Sequence, residues 1–384
     1  MNTLADNPVI IEALRTPIGT TGGVFADQTT TDLAAPVLGE LDARLPTGTG
    51  FGEVVLGNVR GPGGDPARVA ALAAGIDPAV PALTLDRQCG SGMAAIEYAW
   101  HRCRSQPGVV AAGGVQAAST QPITLWPGRD GEPPSSFDRA PFAPPPWLDP
   151  DMGVMADRLA AELHISRERQ DRYALRSHTR ASTARDAGDF DAEIVPIARV
   201  RRDQRPRSGF TMARLARFPA AFRPGGTVTA ANSCGINDAA AAVTMVDAAT
   251  HAHLATPGLR VLAARTVGYD PDRFGLGLVP AVRAALDDAG LGLDQIDALE
   301  FNEAFAAQVL ACADALDLDE HRLCPRGGAI SLGHPWGASG AILLVRLFSR
   351  LVREGAGRYG LAAISIGGGQ GSAVVVEAVH PRGN

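Results

Sequence analysis

One structural phrase occurs twice in this chain of 384 residues. Val109-Val-Ala-Ala-Gly-Gly-Val-Gln116 and Ala362-Ala-Ile-Ser-Ile-Gly-Gly-Gly-Gln370 each read as a short apolar strand that runs into glycines and ends on glutamine. Each follows a long Ala/Gly-rich helical segment that begins at a reactive residue type, Cys89 in the first half and His334 in the second. Self-similarity of this kind implies two copies of one α/β unit that bury their faces on each other, with a site between them.

The remaining chain fits that frame. Apolar runs predict strands at 8–13, 52–57, 82–85, 108–116, 259–266, 298–301, 361–366 and 373–378, and helical spacing predicts helices at 32–45, 66–74, 93–100 and 280–289. The first helix is expected to be capped near Thr31 or Asp32. Alternation of this kind predicts a mostly parallel sheet covered on both faces. The rhythm breaks near Ser119. Residues 121–150 are rich in Pro, Gly and Ser with isolated aromatics, which reads as a loop excursion. Helices are expected at 151–163 and 166–187, the second capped by Ser166. The run 239–246 is apolar and Ala-rich, and reads as either helix or strand.

Composition narrows the chemistry. The net charge of −6 gives no reason to expect nucleic acid or an anionic membrane as partner. Every basic side chain other than histidine is arginine, so a Schiff-base lysine is excluded and anions must be met by Arg, His or backbone. The five cysteines (89, 103, 234, 312 and 324) lack metal-ligand spacing and suggest free thiols in a reducing cytoplasm; no metal is expected. No apolar run reaches the roughly 18 residues of a membrane helix. The C-terminal Arg382-Gly-Asn384 carries no organelle address. The arginine-rich stretch 199–207 reads as a solvated loop or as an anion site.

Cys89 lies in Gln88-Cys-Gly-Ser-Gly92, at an expected strand-to-helix corner. Amides at a helix start favour negative charge, which predicts a lowered thiol pKa and a nucleophile. The plain alternative is one more small buried side chain.

Four motifs then converge: Cys89-Gly-Ser-Gly92, Asn302-Glu-Ala-Phe305, Gly333-His-Pro335 and Gly367-Gly-Gly-Gln-Gly371. With Arg15-Thr-Pro17 and Gly235-Ile-Asn-Asp238 in the same order, the sequence resembles the thiolases, acyl-CoA C-acyltransferases, along nearly its whole length. The resemblance implies a duplicated five-layer αβαβα fold. It implies a first half of residues 1–118 plus 237–257, a CoA-binding loop domain of 119–236, and a second half of 258–384. It implies acyl transfer between CoA and a 3-oxoacyl chain through acyl-Cys89. His334 would be the general base, Asn302 would hold a water beside the enolate, and the N–H groups of Cys89 and Gly367 would meet the oxyanion. Arg207 would contact the nucleotide end of CoA, with Cys234, Met152, Phe222 and Phe305 also contacting CoA or substrate. CoA and acyl-CoA are co-substrates, with no permanently bound cofactor. Family members are dimers or dimers of dimers; the stretch 133–150 does not resemble the usual tetramer-forming loop, so a homodimer is expected ahead of a tetramer.

One departure bears on the chemistry. The strand before the final glycine turn supplies a second cysteine in the family, the acid/base for the α-proton, and here that position is Ser365. A hydroxyl is a far weaker acid than a thiol of pKa ~8.5. Either Ser365 relays a proton through His334, or condensation is impaired and acyl-Cys89 passes to water or another nucleophile. A non-catalytic acyl-CoA-binding subunit is the third reading.

Overall fold

The computed structural model describes residues 6–137 and 139–380, so Arg382, Gly383 and Asn384 lie outside the described residues. Nine strands form a continuous path: β1 (Val9–Arg15), β2 (Glu53–Gly57), β3 (Ala82–Leu85), β4 (Val109–Ala117), β5 (Asn237–Val246), β6 (Gly258–Gly268), β7 (Ala298–Phe301), β8 (Tyr359–Ile366) and β9 (Gln370–Val379). Their order is β7-β8-β9-β6-β1-β5-β4-β2-β3, and the short pair Gly19–Thr20 joins β5 from the side.

The sheet is mixed rather than mostly parallel. Only β7–β8, β4–β2 and β2–β3 pair in parallel, and every step through β9, β6, β1 and β5 is antiparallel. The ambiguous segment 239–246 is strand, paired with both β1 and β4 and buried along its whole length. Side chains as small as its alanines let helices approach both of its faces.

The helices make the other layers. Helices α1 (Thr30–Ala43) and α2 (Pro66–Ala73) cover one outer face, where Leu33, Val37, Leu41 and Ala70 join a core with Val54 and Ala111. The first of them is capped by Thr29, two or three residues earlier than the sequence suggested, with Asp32 bonding back to the Thr29 amide. In the middle lie α3 (Ser91–Ser105) and, near the other end of the chain, a helix over Trp336–Phe348; they share one core with strands from both halves. Between these in sequence come α4 (Met152–Glu162) and α5 (Arg167–Ala187) of the excursion, α5 capped by Ser166 as expected, then α6 (Leu278–Ala289) and α7 (Ala306–Ala315), which cover the second outer face. The Trp336–Phe348 helix is therefore α8.

The two middle helices touch through backbone. A Cβ on Gly92 would lie 2.7 Å from the Gly337 carbonyl oxygen, and one on Gly340 would lie 2.4 Å from the Met93 amide nitrogen. Any side chain at either glycine would force α3 and α8 apart. The contact lies in the first turn of each helix, just after Cys89 and His334.

A buried ion cluster ties the excursion to both halves and gives Arg15-Thr-Pro17 its reason. The Arg15 guanidinium donates to Glu193 at 2.8 Å and to Asp203 at 2.7 and 2.9 Å, and Arg346 of α8 donates to both oxygens of Glu193 at 2.7 Å. Burial would push the Glu193 carboxyl up, but Arg346 and Arg15 overcome it and hold it down at about 2.

Candidate active site

Cys89, a partly exposed residue, stands just before Gly90, which caps α3, and packs against the central core. The preceding residue, Gln88, takes a positive φ of 51°, and Gly90 packs on Ile366, so the corner is tightly fixed. The expected low thiol pKa is not what this environment produces. Burial dominates, the nearby Cys234 adds to it, and the thiol is pushed up to about 12. The amides of Cys89 and Gly367 pull the other way without offsetting the loss of water. The same two amides were assigned to the oxyanion from the resemblance, and they lie within reach of the sulfur.

Gly367 opens a turn in which Gly368 and Gly369 have φ of 77° and 74°, a region that disfavours residues with a side chain. Phe142 of the excursion roofs this turn, since a Cβ on Gly367 would be 3.0 Å from its ring.

His334 is buried in the turn before α8. Its backbone N–H donates to Asn237 Oδ1 at 2.9 Å, and Asn237 Nδ2 donates to the Gly19 carbonyl at 2.8 Å, which fixes the Gly333-His-Pro335 corner to β5. On the ring, Nδ1 lies 2.6 Å from Ser339 Oγ and Nε2 lies 3.5 Å from Asn302 Nδ2. Burial alone pushes the imidazole down to about 4, so it is neutral at physiological pH. Asn302 is placed by the β7–β8 ladder, its N–H donating to the Ala363 carbonyl at 2.9 Å. The adjacent Glu303 is a clamp: it accepts from Tyr173 at 2.9 Å and Ser177 at 2.7 Å, both on α5.

Ser365 is held elsewhere. Its hydroxyl donates to the Gly275 carbonyl at 2.5 Å and accepts from Gln308 Nε2 at 2.9 Å. Among the described residues no hydrogen bond joins it to His334 or Cys89, so a relay from Ser365 to His334 has no direct link. Cys312 donates to the same Gly275 carbonyl at 3.3 Å, which places a buried thiol beside the hydroxyl.

The residues assigned to substrate fall in two places. Phe222 and Phe305 meet edge to face with centroids 5.9 Å apart, and Met152 and Phe222 pack on the same core as Phe305. Cys234 joins this end, its N–H donating to the Ala304 carbonyl at 2.9 Å. Arg207 lies apart from these, at a cavity of about 320 Å³ that it lines with Arg205, Arg214, His178, Phe210 and Phe218. No carboxylate pairs with Arg207 or Arg214 among the described residues. Burial, then Arg205 and Arg207, push His178 down to about 3, so the cavity's positive charge is arginine alone. The basic stretch 199–207 thus places Arg205 and Arg207 at this cavity and a buried anchor, Asp203, in its middle.

Sequence reading did not single out Asn237, Ser339, Phe142 or Gln308. The first two sit inside quoted motifs, Gly235-Ile-Asn-Asp238 and the helix after Gly333-His-Pro335, and hydrogen-bonding side chains there were the available signal. Phe142 and Gln308 gave none, because only the folded chain brings them to the site.

The described residues hold no helix long and apolar enough to cross a membrane. Two family models match the chain: "Thiolase, N-terminal domain" over residues 8–249 and "Thiolase, C-terminal domain" over residues 255–378. An acetyl-CoA acetyltransferase of Pseudomonas aeruginosa is 39% identical over 96% of this chain and 98% of its own. A beta-ketothiolase of Cupriavidus necator is 39% identical over 97% and 99%. The crystal structure of the Bacillus anthracis acetyl-CoA acetyltransferase superposes with a TM-score of 0.91 at 37% identity, covering 97% of this chain and 99% of that one.

Proposed function

The chain belongs to the thiolase family, and on that premise we propose that its acyl transfer runs through a thioester on Cys89, with His334 as the base that forms it. The protein is an acyltransferase of CoA thioesters, acting by Claisen condensation or thiolysis of 3-oxoacyl-CoA. The observation that carries the assignment of roles is the glycine crossing of α3 and α8, which brings together the starts of the helices that follow Cys89 and His334. The N–H groups of Cys89 and Gly367 receive the thioester oxyanion, a contribution of roughly 3–4 kcal/mol per donor. Asn302, beside His334, holds the water that stabilises the enolate. Thiolysis of a series of 3-oxoacyl-CoA substrates, followed by release of the shortened acyl-CoA, tests the activity; no cleavage at any chain length would defeat it.

CoA lies with its pantetheine arm toward Cys234, Met152, Phe222 and Phe305 and its nucleotide end at Arg207, in a loop domain spanning 119–236. A guanidinium with no carboxylate partner among the described residues, in a cavity lined by aromatic rings, supports this placement. Arg207→Ala is expected to raise the KM for CoA about tenfold, some 1.4 kcal/mol. Acylation of Cys89 by a short pantetheine thioester should stay unchanged; an equal loss with both acyl donors would remove Arg207 from nucleotide binding. We assign the protein to the cytoplasm as a homodimer, for which the free edge of β3 with Leu83 exposed is the available surface.

A second reading rests on Ser365. Its proton is committed to the Gly275 carbonyl, so carbon-acid chemistry is slow while acylation of Cys89 proceeds. Ser365→Cys is expected to speed exchange of acyl-CoA α-hydrogens with D₂O at least ~10-fold, within the range of general acid/base effects. Exchange that stays level or falls would show that His334 and water carry that proton already.

A further inference from the structure

Behind His334 lies a second, smaller cavity that the acyl-transfer roles leave unused. Its open space is about 20 Å³, and Glu300, Asn302, Ser339 and Arg346 contribute its polar lining. That volume holds a single water, provided two to four polar groups face it. Arg346 is 3% exposed, gives both bonds from one terminal nitrogen to Glu193, and leaves its Nε without a partner among the described residues. Glu300 is equally buried; the Cys324 thiol hydrogen-bonds its carboxyl, and among the described residues no side-chain nitrogen or hydroxyl does. An unpartnered guanidinium N–H and a carboxylate whose one side-chain partner among the described residues is a thiol thus line one water-sized space, and Ser339 connects that space to His334 Nδ1 at 2.6 Å.

We propose that Glu300 is a positioning residue that fixes the tautomer of His334 through a chain of one buried water and Ser339. The Nδ1–H of His334 donates to Ser339 Oγ. The Ser339 hydroxyl donates to the water, which accepts from Arg346 Nε–H and donates to the Glu300 carboxylate. Every proton in the chain points toward Glu300, so Nε2 keeps its lone pair and faces the reacting atoms as the base. When His334 takes the Cys89 proton, the Glu300 charge stabilises the imidazolium along the same chain, much as a buried carboxylate does in a triad.

Four groups face Glu300: Arg346 from α8, Glu303 from the turn after β7, Glu193 from the excursion, and Cys324 from the segment before Gly327. Burial raises the Glu300 carboxyl most; Arg346 opposes it, the two glutamates add to it, and the result is about 7. Protonated Glu300 would donate into the chain and reverse it, so the acylation rate is expected to fall as pH drops through about 7. Protonation of His334 itself cannot give this inflection, because its imidazole titrates at about 4.

This rests on the roles given to Cys89 and His334 above, and the test separates the two. Histidine ring ¹⁵N spectra, with the His334 signal identified by its loss in His334→Asn, read the tautomer with no substrate present. The expected result is the Nδ1–H form in the wild type and a shift toward Nε2–H in Glu300→Gln. Single-turnover acylation of Glu300→Gln should be about 10²-fold slower, less than the ~10⁴ given by a directly bonded carboxylate, and its rate should lose the inflection near 7. An unchanged tautomer and an unchanged pH profile would overturn the proposal. Should Glu300→Gln fail to fold, Ser339→Ala cuts the same chain and is expected to abolish the inflection; an inflection that persists there overturns the proposal equally. Wild-type protein that never acylates Cys89 would instead defeat the functional reading and leave the tautomer result standing.

Discussion

Cys89→Ser protein mixed with acetyl-CoA gains no mass, and turnover falls on the order of 10⁴–10⁶, the loss typical of a removed nucleophile. The step needs a group that attacks the thioester and later leaves; a serine hydroxyl is the weaker nucleophile and its alkoxide the poorer leaving group. Five cysteines are free, but Cys103, Cys312 and Cys324 are buried, which leaves Cys234 as the only other partly exposed thiol. Burial pushes Cys234 up to about 11 and Cys89 to about 12. Alkylation of Cys89 in the resting protein is therefore slow at pH 7 and climbs with pH, while acylation by bound acyl-CoA is fast. Peptide mapping of the acylated protein decides the matter: an acyl group on Cys234 would refute the assignment.

His334→Ala slows single-turnover acylation by about 10²–10⁴. The resting thiol at about 12 and the imidazole at about 4 differ by eight pH units, on the order of 11 kcal/mol if the two charges formed separately. Burial of both groups favours the neutral thiol and neutral imidazole at rest over a standing thiolate–imidazolium pair. On the proposed roles, the proton leaves sulfur as sulfur bonds to the carbonyl carbon, and the negative charge passes to the thioester oxygen. A base in that geometry cannot be replaced by water at the same rate. Acylation at the wild-type rate in His334→Ala would remove the residue from this role. Stability supplies a separate readout. The unfolded chain takes up a proton on this histidine below its ordinary 6.5, whereas the folded protein resists until about 4. Folding stability therefore falls as pH drops through that window, by about 3 kcal/mol from this group. His334→Ala lacks this contribution, so its melting temperature should decline less steeply between those two pH values.

Local chemistry made part of this legible. Turn residues around Cys89 and His334 marked two helix starts, and the repeated strand-to-glycine phrase implied two related halves facing one site. Strand direction was not legible, because an alanine-rich strand buried on both faces carries no periodicity that separates parallel from antiparallel neighbours; β5 could equally be read as a helix for the same reason. The Cys89 pKa was misjudged because a helix start is written in neighbouring residues while loss of water is a property of the assembled core. Ser365 stood out as a substitution, yet its partners, Gly275 and Gln308, are 90 and 57 residues away. Glu300 looked like one more strand residue until the cavity behind His334 placed it.

Two helices that meet through backbone at Gly92 and Gly340, with only the Cβ atoms of Ala341 and Met93 beside the glycines, have little side chain to trade at their contact. Their separation works as a fixed gauge, and substitutions elsewhere in the core cannot widen or narrow it gradually. Parts that only overhang the gauge, such as Phe142 over the Gly367 turn, are under no such constraint. On the proposed roles, the spacing of the two reacting side chains and the roof over them belong to separate stretches of chain, and the second is free to drift while the first stays put.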